Sequence, residues 1–307
     1  MSALGLPGNI RPIIVMLGLL PLVGCGGDSE PDAPAFAVEV VDAGLQGPRA
    51  IIYDAAGDVY LVSNIGGRGL DEDEDGFVSR VSPDGEVLSL QWIPSAGSTV
   101  LLDAPKGMAI RGDTLFVTDI GCVRIANRVT AEVIETRCLD NVTSLSGIDV
   151  APEGSLFLTD MGYELADGQL VPSYTDALYR VTFRADQRGS TLALGPDLNH
   201  PTGVAVGSRG IFVTTEGGDL LRFTPDGQRT SLIAAPGQIF EGVVFVADGG
   251  FAYSSSATGA VYLVNGSGAV STLIDGISSP GDLGYDSNRN RLLIPLLDEN
   301  RLLFVDL

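Results

Sequence analysis

The stretch PKGMAIRGDTLFVTD (residues 105–119) returns, with variation, as PTGVAVGSRGIFVTT (201–215). Each copy is a small turn, a glycine, an alternating apolar run, a second turn, and an apolar run that ends in a small polar or acidic residue. Looser copies are PRAIIYDAAGDVYLVSN (48–64), LSGIDVAPEGSLFLTD (145–160), FEGVVFVADGGFAYSS (240–255) and PGDLGYDSNRNRLLIPL (280–296). Alignment on Ala50, Gly107, Gly147, Gly203, Gly242 and Gly281 gives a period of about 40 residues, with two longer intervals after the first and third copies. Period-2 alternation broken by PDG, PEG, DGG and NGSG turns reads as short antiparallel strands. A period near 40 made of such strands is that of a β-propeller, whose blades bury both faces only between neighbours. The expectation is an all-β chain, a six-bladed propeller over residues 36–307. The last copy stops short, so AFAVEVVDA (35–43) is expected to supply its outer strand, closing the ring and removing exposed sheet edges.

At the start, Arg11 precedes an apolar stretch, Ile13 to Val23, too short for a membrane span, so residues 1–24 read as a signal peptide. The quartet Leu22-Val23-Gly24-Cys25 resembles the lipobox of bacterial lipoproteins. That resemblance implies cleavage before Cys25, lipidation of its sulfur, and anchoring in the cell envelope. Gly26 after the cysteine implies the outer membrane if the cell is Gram-negative. Residues 25–35, polar and rich in Gly and Pro, then form a lipidated cysteine and its tether. The formal charge of −21 repels nucleic acid and anionic lipid, so membrane attachment is expected through the lipid alone. Cys122 and Cys138 face each other if VRIAN and VIETR pair as a hairpin, and outside the cytoplasm a disulfide is expected there; two buried thiols are the alternative.

In a propeller the innermost strand begins on the face where the next strand ends, so two columns of residues ring one mouth of the channel. The first is Arg49, Lys106, Ser146, Thr202, Glu241 and Pro280; the second is Asn64, Asp119, Asp160, Thr215, Ser255 and Leu296, followed by Glu216 and Asp298. The extra residues of the two long repeats fall at 65–76 and 161–177, leaving from this same mouth and flanking the second repeat. They are candidate walls of a pocket above Asp119 and Asp160. His200, the one histidine, sits at the Asn-His-Pro corner entering an inner strand, where it is either a general base or a structural corner residue. In the first insertion Asp71, Asp73 and Asp75 precede Gly76 with the D-x-D-x-D-G spacing of a calcium loop, although Ser79 and Ser82 stand where later ligands would follow. A solvated acidic face is the other reading of that run.

The copies at 105–119 and 201–215 resemble NHL repeats, and the array is similar to the regucalcin/gluconolactonase superfamily of six-bladed propellers. That resemblance implies a divalent cation, usually calcium, in the channel. Carried over here, Asn64, Asp119, Asp160, Glu216 and Glu241 are the candidate ligands, with His200 as candidate base; Gln46 or Arg49 stands where the family has an opening Glu. A polar ring neutralised by Arg49 and Lys106 without metal remains the alternative. Two functions follow: a binding module for a small molecule or an envelope protein, acting through the mouth and the two insertions, or a calcium-dependent lactonase or esterase.

Overall fold

The computed structural model describes residues 36–41, 43–183 and 189–307; the segments expected to be a signal peptide (1–24) and a lipidated cysteine with its tether (25–35) lie outside these. Six four-stranded antiparallel blades form a propeller. Their innermost strands are Pro48–Asp54, Pro105–Arg111, Leu145–Val150, Pro201–Gly207, Phe240–Phe245 and Gly284–Asp286. The second strands are Val59–Asn64, Thr114–Asp119, Leu156–Asp160, Gly210–Thr215, Phe251–Ser255 and Arg291–Leu296. Among the described residues helix is confined to two short 3-10 turns, Pro196–Leu198 and Ala247–Gly249. The sixth blade draws on both ends of the chain, because Phe36–Val40 pairs antiparallel with Arg301–Asp306 as its outermost strand.

Strand alternation explains where the core sits. In the second blade Leu115 and Val117 pack toward the first blade, while Phe116 between them packs toward the third. In the fourth, Ile211 and Val213 face one neighbour and Phe212 the other. The buried apolar side chains therefore form six clusters, one at each junction between adjacent blades. A blade stripped of its neighbours would expose both faces, so the ring is stable only as a ring.

Around the axis the inner strands approach more closely than side chains permit. A Cβ on Gly107 would lie 2.4 Å from Ser146 O, one on Gly147 2.7 Å from Thr202 O, and one on Gly203 2.8 Å from Glu241 O. Each glycine thus abuts the glycine of the next blade, and Gly242 abuts the Cα of Asp282. Asp282, not Gly281, is therefore the sixth-blade member of this row, one residue on from the sequence alignment. Gly281 instead takes the rim position expected for Pro280, and its own missing Cβ makes room for Arg49 O at 2.4 Å.

At the same level the ladder between first and second strands is interrupted by a bulge in five blades. A hydroxyl fills each gap. The Gly147 N–H donates to Thr159 Oγ1 (2.8 Å), Gly203 N–H to Thr214 Oγ1 (2.9 Å), Gly242 N–H to Ser254 Oγ (2.9 Å) and Ala50 N–H to Ser63 Oγ (3.1 Å). The hydroxyl proton then reaches the next blade: Thr118 donates to Ser146 O (2.7 Å), Thr159 to Thr202 O, Thr214 to Glu241 O (3.3 Å) and Ser254 to Gly281 O (2.7 Å). In the second to fifth blades the Thr or Ser next to the end of the motif is thus a staple between blades, whereas Ser63 of the first bonds Ala50 of its own blade. In the sixth blade Pro295 holds this place, and the junction with the first blade is made by backbone bonds, Asp282 N to Arg49 O (2.8 Å) and Ile51 N to Asp282 O (3.4 Å).

Thr159→Val keeps the shape and removes the staple, leaving the Gly147 N–H and Thr202 carbonyl buried without it. A loss of ~1–3 kcal/mol in urea-induced unfolding is expected, with most of it recovered in Thr159→Ser.

Candidate functional site

The polar residues that end the second strands turn inward on the loops of their own blades. Asn64 Oδ1 accepts from Gln46 N (3.1 Å), and its amide donates to Val62 O and Ser79 Oγ. Asp119 accepts from Ala104 N (2.8 Å) and Asp103 N, and pairs with Arg124 Nε at 2.8 Å. Asp160 accepts from Ser144 N (3.0 Å), Gly162 N (3.0 Å) and Thr143 N (3.3 Å); burial pushes its carboxyl up despite these donors. Each holds the segment that leads into its blade's inner strand.

The other rim residues form a chain of contacts. Arg49 and Glu241 pair at 2.8 Å, and Glu241 Oε1 also accepts from Ser256 Oγ at 2.7 Å. Glu216 accepts from Tyr163 OH at 2.7 Å, and burial raises its carboxyl above the usual range. The Tyr163 ring stacks on His200 with centroids 4.2 Å apart. His200 Nδ1 donates to Met161 O at 2.6 Å and lies 3.2 Å from Asp176 Oδ1, which accepts from the His200 backbone N–H at 2.8 Å. Asn199 and His200 both have positive φ, 54° and 57°, so the corner is a left-handed turn tied down from two sides.

Lys106 differs from all of these. It is 5 % exposed and its Nζ has no hydrogen-bond partner. Burial, then the charge of Arg49, lowers its ammonium to about 8.

Both insertions stand over this mouth. The second contains a hairpin, Tyr163–Ala166 with Gln169–Pro172. It meets the first through Arg68 Nη1, which donates to Gly168 O at 3.3 Å. Between them lies a cavity of about 310 Å³ whose walls include Leu70, Met161, Tyr163, Leu165 and Leu170, with Lys106 among its lining residues. On the other side of the loops is an open acidic cleft of about 910 Å³, lined by Asp71, Glu72, Asp73, Asp103, Asp119 and Glu164 together with Arg124. Cys122 and Cys138, opposite one another in register and joined as a disulfide, form part of its wall. Asp71 pairs with Arg68 at 2.8 Å and Asp73 Oδ1 accepts from Asp75 N at 3.3 Å.

The candidate ligands are therefore not gathered round one point. Asn64, Asp119 and Asp160 serve three separate loops, while Glu216 and Glu241 are near each other but engaged by Tyr163 and by Arg49. Among the described residues no group of three or more His, Cys, Asp or Glu side chains is placed to hold a metal ion. Each of these side chains is already engaged by donors of the protein itself.

Deeper in the channel are two carboxylates absent from the sequence-derived set. Asp149 accepts from Val206 N (2.6 Å) and Val150 N (2.7 Å), yet burial raises it to about 6. Asp282, in the glycine row, is raised to about 7 by burial and, after the opposing pull of Arg49, by Asp149. Their signal in sequence is an acid at an inner-strand position otherwise taken by Gly or an apolar residue.

Among known proteins the likeness is one of fold. No family model matches the chain, and no curated protein does. Solved structures match over most of the chain at low identity. The gluconolactonase from Xanthomonas campestris superimposes with a TM-score of 0.63 at 17% identity, over 86% of this chain and 87% of its own. Virginiamycin B lyase from Staphylococcus aureus gives 0.61 at 14% identity, over 88% and 98%. An auxiliary nutrient binding protein from Bacteroides thetaiotaomicron gives 0.62 at 10% identity, over 85% and 69%. The propeller fold is thus shared with a gluconolactonase, a lyase and a binding protein.

The raised channel acids make a signed prediction. A carboxyl whose folded pKa exceeds its unfolded one binds its proton more tightly when folded. Its stabilising contribution is present below about pH 4 and is lost as pH rises through about 6 and 7. Asp282→Asn is expected to flatten the fall in stability between pH 4 and 7 and to gain ~1–2 kcal/mol at pH 8, measured by chemical denaturation across pH.

Proposed function

We propose that this protein is an extracytoplasmic binding propeller, anchored through Cys25, that takes a small molecule into the cavity between its two insertions. The observation that carries the reading is that cavity: both long loops of the ring contribute to it, and they touch across it through Arg68 and Gly168. At about 310 Å³ it stands at the small end of the ~300–1,000 Å³ range of ligand pockets. The likeness to the nutrient binding protein supports the same reading at the level of fold.

Ligand-detected NMR on the full chain with a panel of small water-soluble aromatic and aliphatic fragments tests it. A subset is expected to bind, and the Leu165→Asp, Leu170→Asp double variant, at two partly exposed cavity residues, is expected to lose that subset. Fragment binding unchanged in the double variant would place the ligand elsewhere. The anchor has its own check: intact mass of the membrane-extracted protein should begin at an acylated Cys25, and Cys25→Ser should abolish membrane retention.

A second reading, calcium-dependent hydrolysis of a lactone or ester, is favoured by the likeness to gluconolactonase and by the half-buried Glu216 beside Tyr163 and His200. On the binding reading, δ-lactones and aryl esters are not turned over with or without added calcium. Calcium-dependent turnover lost in Glu216→Gln would transfer the assignment to the hydrolase.

A further inference from the structure

Resting on the binding reading, we propose that the cavity selects an amphipathic carboxylate: a short apolar body against Leu70, Met161, Leu165 and Leu170, its carboxylate on Lys106 Nζ.

Lys106 is 5 % exposed as a residue, and its Nζ, buried and without a hydrogen-bond partner, has lost water and received nothing in its place. The groups near enough to act on it electrostatically are committed elsewhere. Arg49 is paired with Glu241, Asp119 with Arg124 and two backbone N–H groups, and Asp160 with three backbone N–H groups. With its ammonium at about 8, Lys106 is still mostly charged at neutral pH. A buried charge in that condition is satisfied best by an anion that brings its own acceptors.

The walls agree with this choice. No lining residue of the cavity is acidic, although the chain carries −21 overall and the adjoining cleft is lined by acids. The cations in the lining are Lys106 and Arg68, the latter paired with Asp71 at the exposed surface. Ser144, whose side chain is buried in the same lining, adds a hydroxyl. One free ammonium and one hydroxyl suit a singly charged carboxylate, whereas a phosphate dianion calls for a denser set of donors. The remaining wall, leucines, a methionine and the Tyr163 ring, has nothing to offer a polyol and much to offer a hydrocarbon.

The test is calorimetric titration of the full chain with 4-phenylbutyrate, its neutral amide and its amine. The carboxylate is expected to bind on the order of tenfold tighter than the amide, with the amine weakest. In Lys106→Met the preference for carboxylate should vanish while amide binding persists, and the thermal midpoint should equal or exceed that of the parent, because an apolar isostere replaces an unpartnered buried charge. Equal affinity for carboxylate and amide in the parent, or a carboxylate preference that survives Lys106→Met, would overturn the anion assignment and leave the cavity reading standing. Failure of all three probes to bind would overturn both.

Discussion

The structure depends on how closely six inner strands crowd a common axis. Where Gly107, Gly147, Gly203 and Gly242 stand, a single Cβ would drive into the backbone of the next blade. This closeness has a cost in hydrogen bonding, since the bulge beside each glycine breaks the ladder and strands a buried N–H. The Thr and Ser hydroxyls of the second strands answer it, accepting from the glycine and donating onward to the neighbouring blade. The repeat motif is therefore a statement about junctions between blades more than about any one blade: glycine sets the spacing, the hydroxyl bridges it, and alternating apolar residues fill the space outside.

The same economy shapes the mouth. Residues that look in sequence like a ring of ligands are, in space, mostly the means by which each blade fastens its entering loop. Asn64, Asp119 and Asp160 accept backbone N–H groups, and Asp176 does so for the corner at His200. Once these are accounted for, Lys106 is left as an isolated charge under two loops with apolar inner surfaces. The mouth is thus divided into a polar rim that holds the fold and a small, mostly apolar cavity with one unpaired cation in its lining.

The architecture was legible because its cause is periodic. Glycine spacing, turn dipeptides and period-2 alternation recur with every blade, and they located the strands, the two insertions and the face from which both depart. The site was less legible because its determinants are not periodic. A carboxylate ending a strand carries the same letter whether it meets a metal or a backbone N–H, and only the path of the preceding loop decides. Asp282 illustrates the point. PGDLGYD contains glycines at 281 and 284, and alignment on the first puts the acid one place away from the row it occupies, hiding a channel carboxylate. The isolation of Lys106 had no sequence signal, since it depends on Arg49 pairing with Glu241 of another blade and on Arg124 pairing with Asp119 across the strands of its own.

The sixth blade joins Phe36–Val40 to Arg301–Asp306, so its pairing spans nearly the whole described chain, Phe36 lying opposite Val305. During synthesis the outermost strand of that blade emerges first and its partner last. Until then the first blade has a bare face, because the cluster that covers it is built from Leu293, Leu302 and Phe304. Contacts of such sequence separation form slowly, since the loop entropy is lost before the contact is gained. Closing the ring thus requires the hairpin Arg291–Leu296 with Arg301–Asp306 to dock between the Phe36–Val40 strand and the first blade, and a chain in which it has not docked presents an apolar wall and an unpaired edge to its surroundings. Loss of the Arg301–Asp306 strand alone would leave the inner strands of the sixth and first blades joined through Asp282 and Arg49, but it would detach Phe36–Val40 and uncover the junction that Leu302 and Phe304 fill.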